Sequence, residues 1–384
     1  MTSAAASAAH HLQLSILNPM KSAFVGKDLI IDLMGVALAS GENLFLLGPP
    51  GTAKSALIHH LSRQLGARSF DYLLTRFTEP SELFGPFDIR RLREGYLVTN
   101  TNGMLPEAEL IFLDELLNAN SAILNSLLTI LNEHTFRRGS ESHPIPALFI
   151  AAASNHLPEE ESLRALFDRF LLRVQSLPTP DHQLGAVLDA GWQMLATPPS
   201  TAPAPSQTDT VRLIQSAIPH VSLHPARETC LTLIQSLRTA GIRISDRRAV
   251  RLQRAIAASA LLAGRTEARP SDLWIMAHSW DREEQIETAA AIVAACLRTH
   301  DPSEHDHPRA SSLHEPDPES LRREIETLTA RIREPSPDPS APDTLRTLSE
   351  RIQWVRNPLQ RSALESLCQA AWQSLSGTTH PPTP

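Results

Sequence analysis

Between Leu12 and Pro178, short apolar runs alternate with segments whose apolar residues recur at helical spacing, the pattern of a parallel sheet threaded by helices. The runs predict strands at Asn43–Leu47, Phe70–Leu74, Leu110–Leu113, Ala147–Ala153 and Leu171–Val174. Helical periodicity predicts helices over Lys54–Leu65, Asn120–Asn132 and Pro158–Phe167, with irregular chain from Glu79 to Pro106. The stretch ATPPSTAPAPSQT, Ala196 to Thr208, can continue neither a helix nor a central strand, so a boundary falls there. From Asp209 to Leu297 the pattern is helical throughout, with Ser-Asp pairs placed to cap two of the helices, and Trp274 and Trp280 read as core. Beyond Thr299, prolines bracket one charged helix, SLRREIETLTARIRE, and a last helical segment runs from Thr344 to Ser376. This tail reads as helices on tethers or as a helical hairpin. His300, His305, His307 and His314 match no metal-ligand spacing and read as a solvated linker. The expected division is an α/β core over 1–180 with a five-stranded parallel sheet between helices, a proline-rich connector over 181–208, a small all-α domain over 209–298, and a helical, proline-interrupted tail over 299–384.

Composition narrows the function classes. The 384 residues, 42% hydrophobic and 20% charged, suffice for two or three domains and exclude a wholly disordered chain. Thirty-five Lys and Arg against 42 Asp and Glu leave a net charge of −7, so no global basic field holds a polyanion, which argues against a DNA coat protein. Cys230, Cys296 and Cys368 lie far apart with no CxxC pairing, which argues against a disulfide framework or zinc finger and makes a reducing, cytoplasmic setting the expectation. The start MTSAAASAAHHLQLS lacks a basic, apolar leader, and no run approaches the roughly 18 to 20 apolar residues of a membrane span. Neither signal peptide nor membrane insertion is expected.

The chemistry is concentrated after the first strand. NLFLL leads into Gly48-Pro49-Pro50-Gly51-Thr52-Ala53-Lys54-Ser55 and then a helical pattern, the strand, loop and helix setting of a phosphate-binding loop. Loop amides and the positive end of the following helix would converge on phosphate oxygens. Lys54 would neutralise the β and γ phosphates of ATP, and the Ser55 hydroxyl would coordinate Mg2+. Ala53 stands where the GxxxxGK[ST] pattern has its second glycine, and its methyl is expected to demand a negative φ. Farther on, Glu109-Leu-Ile-Phe-Leu-Asp114-Glu115 is an apolar strand ending in two carboxylates. Asp114 would hold magnesium through water, and Glu115 would polarise the attacking water.

These two motifs, followed by Ala-Ser-Asn155 at a strand end and Phe167-Asp-Arg169-Phe170, resemble those of AAA+ ATPases. GPPGTAKS, Thr78-Glu-Pro-Ser-Glu-Leu-Phe-Gly85, Leu113-Asp-Glu-Leu-Leu-Asn-Ala-Asn120 and the Ala-Ser-Asn-His run are similar to the MoxR family in its RavA-like branch, over about Leu14 to Leu297. The resemblance implies that Asn155 is the sensor of the attacking water or γ phosphate. It implies that Arg169, with Arg164 as the second candidate, is an arginine finger offered to an adjacent subunit. Arg247, or its neighbour Arg248, matches the second sensor of a helical lid reaching back to the nucleotide. Val25 and Gly26, in Phe24-Val-Gly-Lys, would border the adenine. A homo-oligomer, by resemblance a hexameric ring, and a von Willebrand factor A domain partner are implied as well.

Two inserts complete the reading. Gly85–Val98 alternates and turns at Glu94-Gly95, which predicts one β-hairpin, and Thr135–Ile145 predicts a second. The resemblance implies that such inserts line the pore face of a ring. Arg90, Arg91 and Arg93 could grip an acidic partner or nucleic acid, but three arginines on a hairpin are more often a solvated face, and isolated Phe87 and Tyr96 lend weak support to protein threading. The leading expectation is Mg-ATP hydrolysis that remodels or activates a partner protein complex. The alternative is a nucleic-acid motor or DNA-binding regulator, disfavoured by the acidic balance and the lack of a helix-turn-helix or zinc knuckle. A nucleotide sensor without turnover is disfavoured by Glu115.

Overall fold

The computed structural model describes residues 2–95, 97–138, 141–158, 161–196, 206–298, 307–311, 318–332, 341–352 and 358–377. Tyr96, the tip of the second hairpin, the proline-rich stretch 197–205, and His300, His305 and His314 lie outside the described residues.

Among the described residues seven strands occur in chain order: β1 Leu44–Leu47, β2 Ser69–Leu73, β3 Leu110–Asp114, β4 Thr135–Arg138, β5 Glu141–Pro144, β6 Phe149–Ser154 and β7 Leu172–Gln175. Five of them form one sheet in the order β2-β3-β6-β1-β7, every neighbouring pair parallel. This is the expected sheet, with strand ends shifted by a residue or two. Its central strands are apolar on both faces, because helices cover both sides. Phe45, Leu47, Ile111, Leu113, Ile150 and Ala152 join one buried cluster, while Leu44, Leu46, Leu110, Phe112, Ala151 and Ala153 join the other.

The helix Asp28–Ser40 is buried almost all round, lying between the sheet and the all-α domain. That domain comprises helices Thr208–Ala217, Arg227–Thr239, Asp246–Leu262 and Gln285–Leu297 with a 3-10 segment Pro270–His278. Trp274 and Trp280 are core, as expected, at 0% and 1% exposure. The N-terminal helix Thr2–Leu12 packs there too, through Ala5, Ala6 and Ala9, whose small side chains permit close helix approach.

Three expectations change. The segment 85–98 is not a β-hairpin: only an isolated bridge, Phe87 to Thr99, closes it, and Ile89–Arg93 is a helical turn. Asp88 explains the difference, since its carboxylate accepts from the amides of Arg90 and Arg91 and caps that turn. The second hairpin forms as β4 and β5. Among the described residues, the tail beyond 311 forms three helices, Pro318–Ile332, Ala341–Ile352 and Pro358–Gly377, sharing a core of Leu321, Ile325, Leu345, Leu348, Leu364 and Cys368. Pro358 begins the third helix, where Pro is tolerated because its missing amide donor has no intrahelical partner to lose. Finally, His307 is not solvated. Its ring stacks on Trp274 with centroids 5.1 Å apart, and Arg309 Nε donates to Asp32 Oδ2 at 2.6 Å, so 307–311 is docked. Burial pushes the His307 imidazole down to a pKa of about 4.

Candidate functional site

The loop after β1 is held from two sides. Gly48 N donates to Ser154 O of β6 at 3.0 Å, and Ser176, just past β7, donates through Oγ to Thr52 O at 3.0 Å. Gly48 is required by that closeness, since a Cβ there would lie 2.2 Å from Ser176 O. Thr52 Oγ1 donates to Pro49 O at 2.9 Å and closes the loop internally. Ala53 adopts φ 66° and ψ 19°, the left-handed region, immediately before the helix Lys54–Leu65. The expectation of a negative φ is therefore wrong: the loop keeps the left-handed geometry a glycine would favour and carries roughly 1 kcal/mol or more of backbone strain.

The groups around this loop are placed for phosphate and metal chemistry. Lys54 is buried, and its Nζ folds back on Gly48 O at 2.7 Å and Pro49 O at 2.9 Å. The helix after it points its first amides at the same hollow. Ser55 Oγ lies 3.4 Å from Asp114 Oδ2, bringing a hydroxyl and a carboxylate from different elements to one point. Two oxygen donors with room for water fit the needs of Mg2+, which keeps most of its hydration shell. Glu115 sits at φ 50° and ψ 43°, and its Oε2 is buried without a hydrogen-bond partner among the described residues. Its amide donates to Asp114 Oδ1 at 3.0 Å, which ties the two carboxylates into a fixed turn. A strained acid with an unsatisfied buried oxygen is the kind of group that is kept for function. Asn155 is exposed directly after β6, and β6 pairs with β3, so it stands beside the Asp114-Glu115 strand end as expected.

On the base side, Val25 and Gly26 pack against the chain that follows β7. Thr179 Oγ1 donates to Val25 O at 3.5 Å, and a Cβ on Gly26, at φ 74°, would lie 3.0 Å from Gln183 Oε1. The next residue, Lys27, is buried and donates to Leu177 O. It was absent from the expected site, although its position directly after Val25-Gly26 was a signal.

The arginines lie at the other edge of the sheet. Asn43, which precedes β1, donates through Nδ2 to Arg169 O at 3.0 Å and Leu131 O at 3.3 Å. The four residues of β1 span roughly 13 Å between this point and the phosphate loop. Arg247 Nη2 donates to Asn132 Oδ1 at 2.6 Å on the same edge. Its placement differs from the expected reach back to its own loop, because the helix Asp246–Leu262 is tied to the N-terminal side of β1: Arg251 binds Glu42 and Arg169 O, and Arg254 binds Ser40 O. Burial, then the nearby Arg247, hold the Arg169 guanidinium below its usual pKa. Arg248 is buried. It pairs with Asp168 and with Asp281 at 2.8 Å, beside Arg173, which is fully buried and bonds Asp281 at 2.6 Å. Arg164 is exposed on the helix Glu161–Phe167. Arg90, Arg91 and Arg93 are exposed, with Arg91 paired to Glu94 at 3.3 Å.

Residues 10–216 match the family model described as the MoxR domain in the MoxR-vWA-beta-propeller ternary systems, and 228–293 match an AAA lid domain. An uncharacterised protein of Methanocaldococcus jannaschii is 35% identical over 275 residues, 71% of this chain and 72% of its own length. The chaperone MoxR1 of Mycobacterium tuberculosis is 26% identical over 213 residues, 54% of each chain. The crystal structure of a candidate ATPase from Cytophaga hutchinsonii shares the fold, with a TM-score of 0.60 at 17% identity over 78% of this chain and 97% of that one. No helix among the described residues is long and apolar enough to cross a membrane. With its phosphate loop, paired carboxylates and helical domain in this order, the chain belongs to the MoxR family of AAA+ ATPases.

Proposed function

We propose that the protein hydrolyses Mg-ATP at a site completed by a neighbouring subunit and uses the cycle to remodel or activate a partner protein complex. The observation that carries this reading is the convergence of Lys54, Ser55, Asp114 and Glu115 at the C-terminal edge of one sheet, with Arg169 and Arg247 together at the opposite edge. Lys54, released from the Gly48 and Pro49 carbonyls, neutralises the terminal phosphates, and the loop amides orient them. Ser55 and Asp114 would hold Mg2+, which when bound offsets phosphate charge. Glu115 orients the attacking water and takes its proton, and Asn155 fixes that water from the adjacent strand. Arg169 and Arg247 stand at the edge opposite their own loop, which supports a role at the next protomer's phosphates in a homo-oligomeric ring, by resemblance of six.

The description of the matching family supports a von Willebrand factor A domain partner and brings in a β-propeller protein as the third component. The loop GPPGTAKS and the segment Thr78–Gly85 support a placement near the RavA-like branch, and the composition of the assembly would separate that branch from the ternary systems. Glu115→Gln tests the chemistry: the amide keeps the side chain's shape but cannot accept the water's proton, so turnover should fall at least about a hundredfold with ATP affinity retained. Hydrolysis at the wild-type rate would assign the water to another group.

A further inference from the structure

Two buried ammonium groups share the nucleotide site, and only Lys54 has a role so far. Lys27 is 6% exposed and Lys54 7%. Among the described residues neither has a carboxylate within 4.0 Å; Lys27 donates to Leu177 O, and Lys54 to Gly48 O and Pro49 O. Neutral carbonyls compensate such charges only in part, and each cation disfavours the other. Accordingly the Lys27 amine is pushed below its usual pKa, first by burial and then by Lys54. Two buried cations that no carboxylate pairs directly make a site prepared for an anion.

The location says which part of the anion. Lys27 follows Gly26 on the base side and stands at the start of the helix Asp28–Ser40. Its acceptor Leu177 follows Ser176, the residue that presses on Gly48 and binds Thr52. The ammonium therefore lies between the base-side turn and the back of the phosphate loop, where a nucleotide bound across both must place its ribose and first phosphate. We infer that Lys27 is a second phosphate-binding cation of this site, directed to the α-phosphate, with Lys54 serving the β and γ phosphates. The inference rests on the nucleotide-binding reading above. A lysine that merely anchored Leu177 would behave differently, because losing it would loosen the fold rather than change the affinity for phosphate.

Lys27→Met keeps the length of the side chain and removes the charge. Calorimetric titration of the full chain with ATP, ADP, AMP and adenosine, alongside Lys54→Ala, reads the effect. Loss of a charge-assisted contact to the α-phosphate, which all three nucleotides carry, should weaken ATP, ADP and AMP by a similar factor, roughly tenfold to a hundredfold, and leave adenosine unchanged. The nucleotide-free thermal midpoint should not fall, since an uncompensated buried charge has been removed. Lys27→Gln, which also lacks the charge, should repeat the pattern and covers the case in which methionine prevents folding. ATP, ADP and AMP affinities within twofold of wild type, with ATP affinity lost in Lys54→Ala, would overturn the role of Lys27 while leaving the loop assignment standing. An equal loss for adenosine would move the contact to the base or ribose and overturn it as well. Wild-type ATP affinity in Lys54→Ala would remove the nucleotide reading on which it rests.

Discussion

Asp281→Asn isolates the charge network that joins the all-α domain to the segment carrying Arg169. Asp281 Oδ1 lies 2.6 Å from Arg173 and 2.8 Å from Arg248, so one carboxylate serves two guanidinium groups. Arg173 is fully buried, and its Nε and Nη2 also donate to Phe170 O and Phe167 O, each at 3.0 Å. The other anion, Asp168, contacts Arg248 and lies 4.0 Å from Arg173. The four groups are neutral together, two cations against two anions, and the amide leaves an excess positive charge beside a guanidinium that cannot reach water. Breaking a buried pair from one side costs about 3–5 kcal/mol. Asp281 retains 27% side-chain exposure, so water offsets part of this, and about 2–3 kcal/mol is the expected loss. At roughly 2–4 °C per kcal/mol for a unit of this size, the thermal midpoint followed by circular dichroism should fall by about 4–12 °C. Arg248→Met added to Asp281→Asn restores charge balance and should recover part of the loss. Burial alone would raise the Asp281 pKa, but bonds from Arg248 and charge from Arg173 more than offset it, so the folded-state pKa is lowered. Its contribution is present above the unfolded pKa and disappears as pH falls through the folded one, so the gap between wild type and Asp281→Asn should narrow in acid. A midpoint change within 1 °C, or no narrowing in acid, would refute the network.

Two further outcomes follow from local geometry. His307 is buried neutral with a pKa of about 4 against an ordinary 6.5, so docking of 307–311 is favoured fully above pH 6.5 and weakens as pH falls from there towards 4, by up to about 3 kcal/mol. Hydrogen exchange at Ala310 and Ser311 should rise over that window, and His307→Phe should remove the pH dependence. Ala53→Gly relieves the left-handed strain of roughly 1–2 kcal/mol but adds backbone entropy to the unfolded chain of about 0.5–1 kcal/mol, so chemical unfolding should show a net gain of about 0–1.5 kcal/mol. A loss of stability would mean that Ala53 is not left-handed in solution.

The sheet was legible because its central strands β1, β3 and β6 are short apolar runs, the pattern of a doubly covered parallel sheet. Lys54, Ser55, Asp114, Glu115 and Asn155 were legible for a related reason. Asp114 ends β3, Glu115 and Asn155 directly follow β3 and β6, and Lys54 and Ser55 open the helix after the loop that follows β1, so parallel strand order carries them to one edge. Arg247 was misplaced because the motif fixes its position on a helix but not where that helix docks; the docking depends on Glu42, Asn132 and Ser40, contacts of long sequence separation. Residues 85–98 misled because alternation counts apolar positions and overlooks the Asp88 cap, which favours a helical turn over a strand. His307 was read from its polar neighbours, whereas its partner Trp274 lies on another element. Lys27 was passed over although it directly follows Val25-Gly26, and its burial beside Lys54 is what marks it in the fold.

The shared site is tested most directly by mixing two inactive proteins. Arg169→Ala retains Lys54, Ser55 and Glu115 and should bind ATP almost normally, yet lose most turnover at the neighbouring site; Glu115→Gln retains Arg169 but cannot activate water. Mixed rings place an intact Glu115 against an intact Arg169 at some interfaces, so steady-state ATP hydrolysis should partly return once exchange of labelled protomers is verified. Specific activity of the wild type should also rise with protein concentration as rings assemble. No recovery despite demonstrated exchange, or a specific activity that stays constant down to a monomeric range, would contradict a catalytic centre completed by the adjacent subunit.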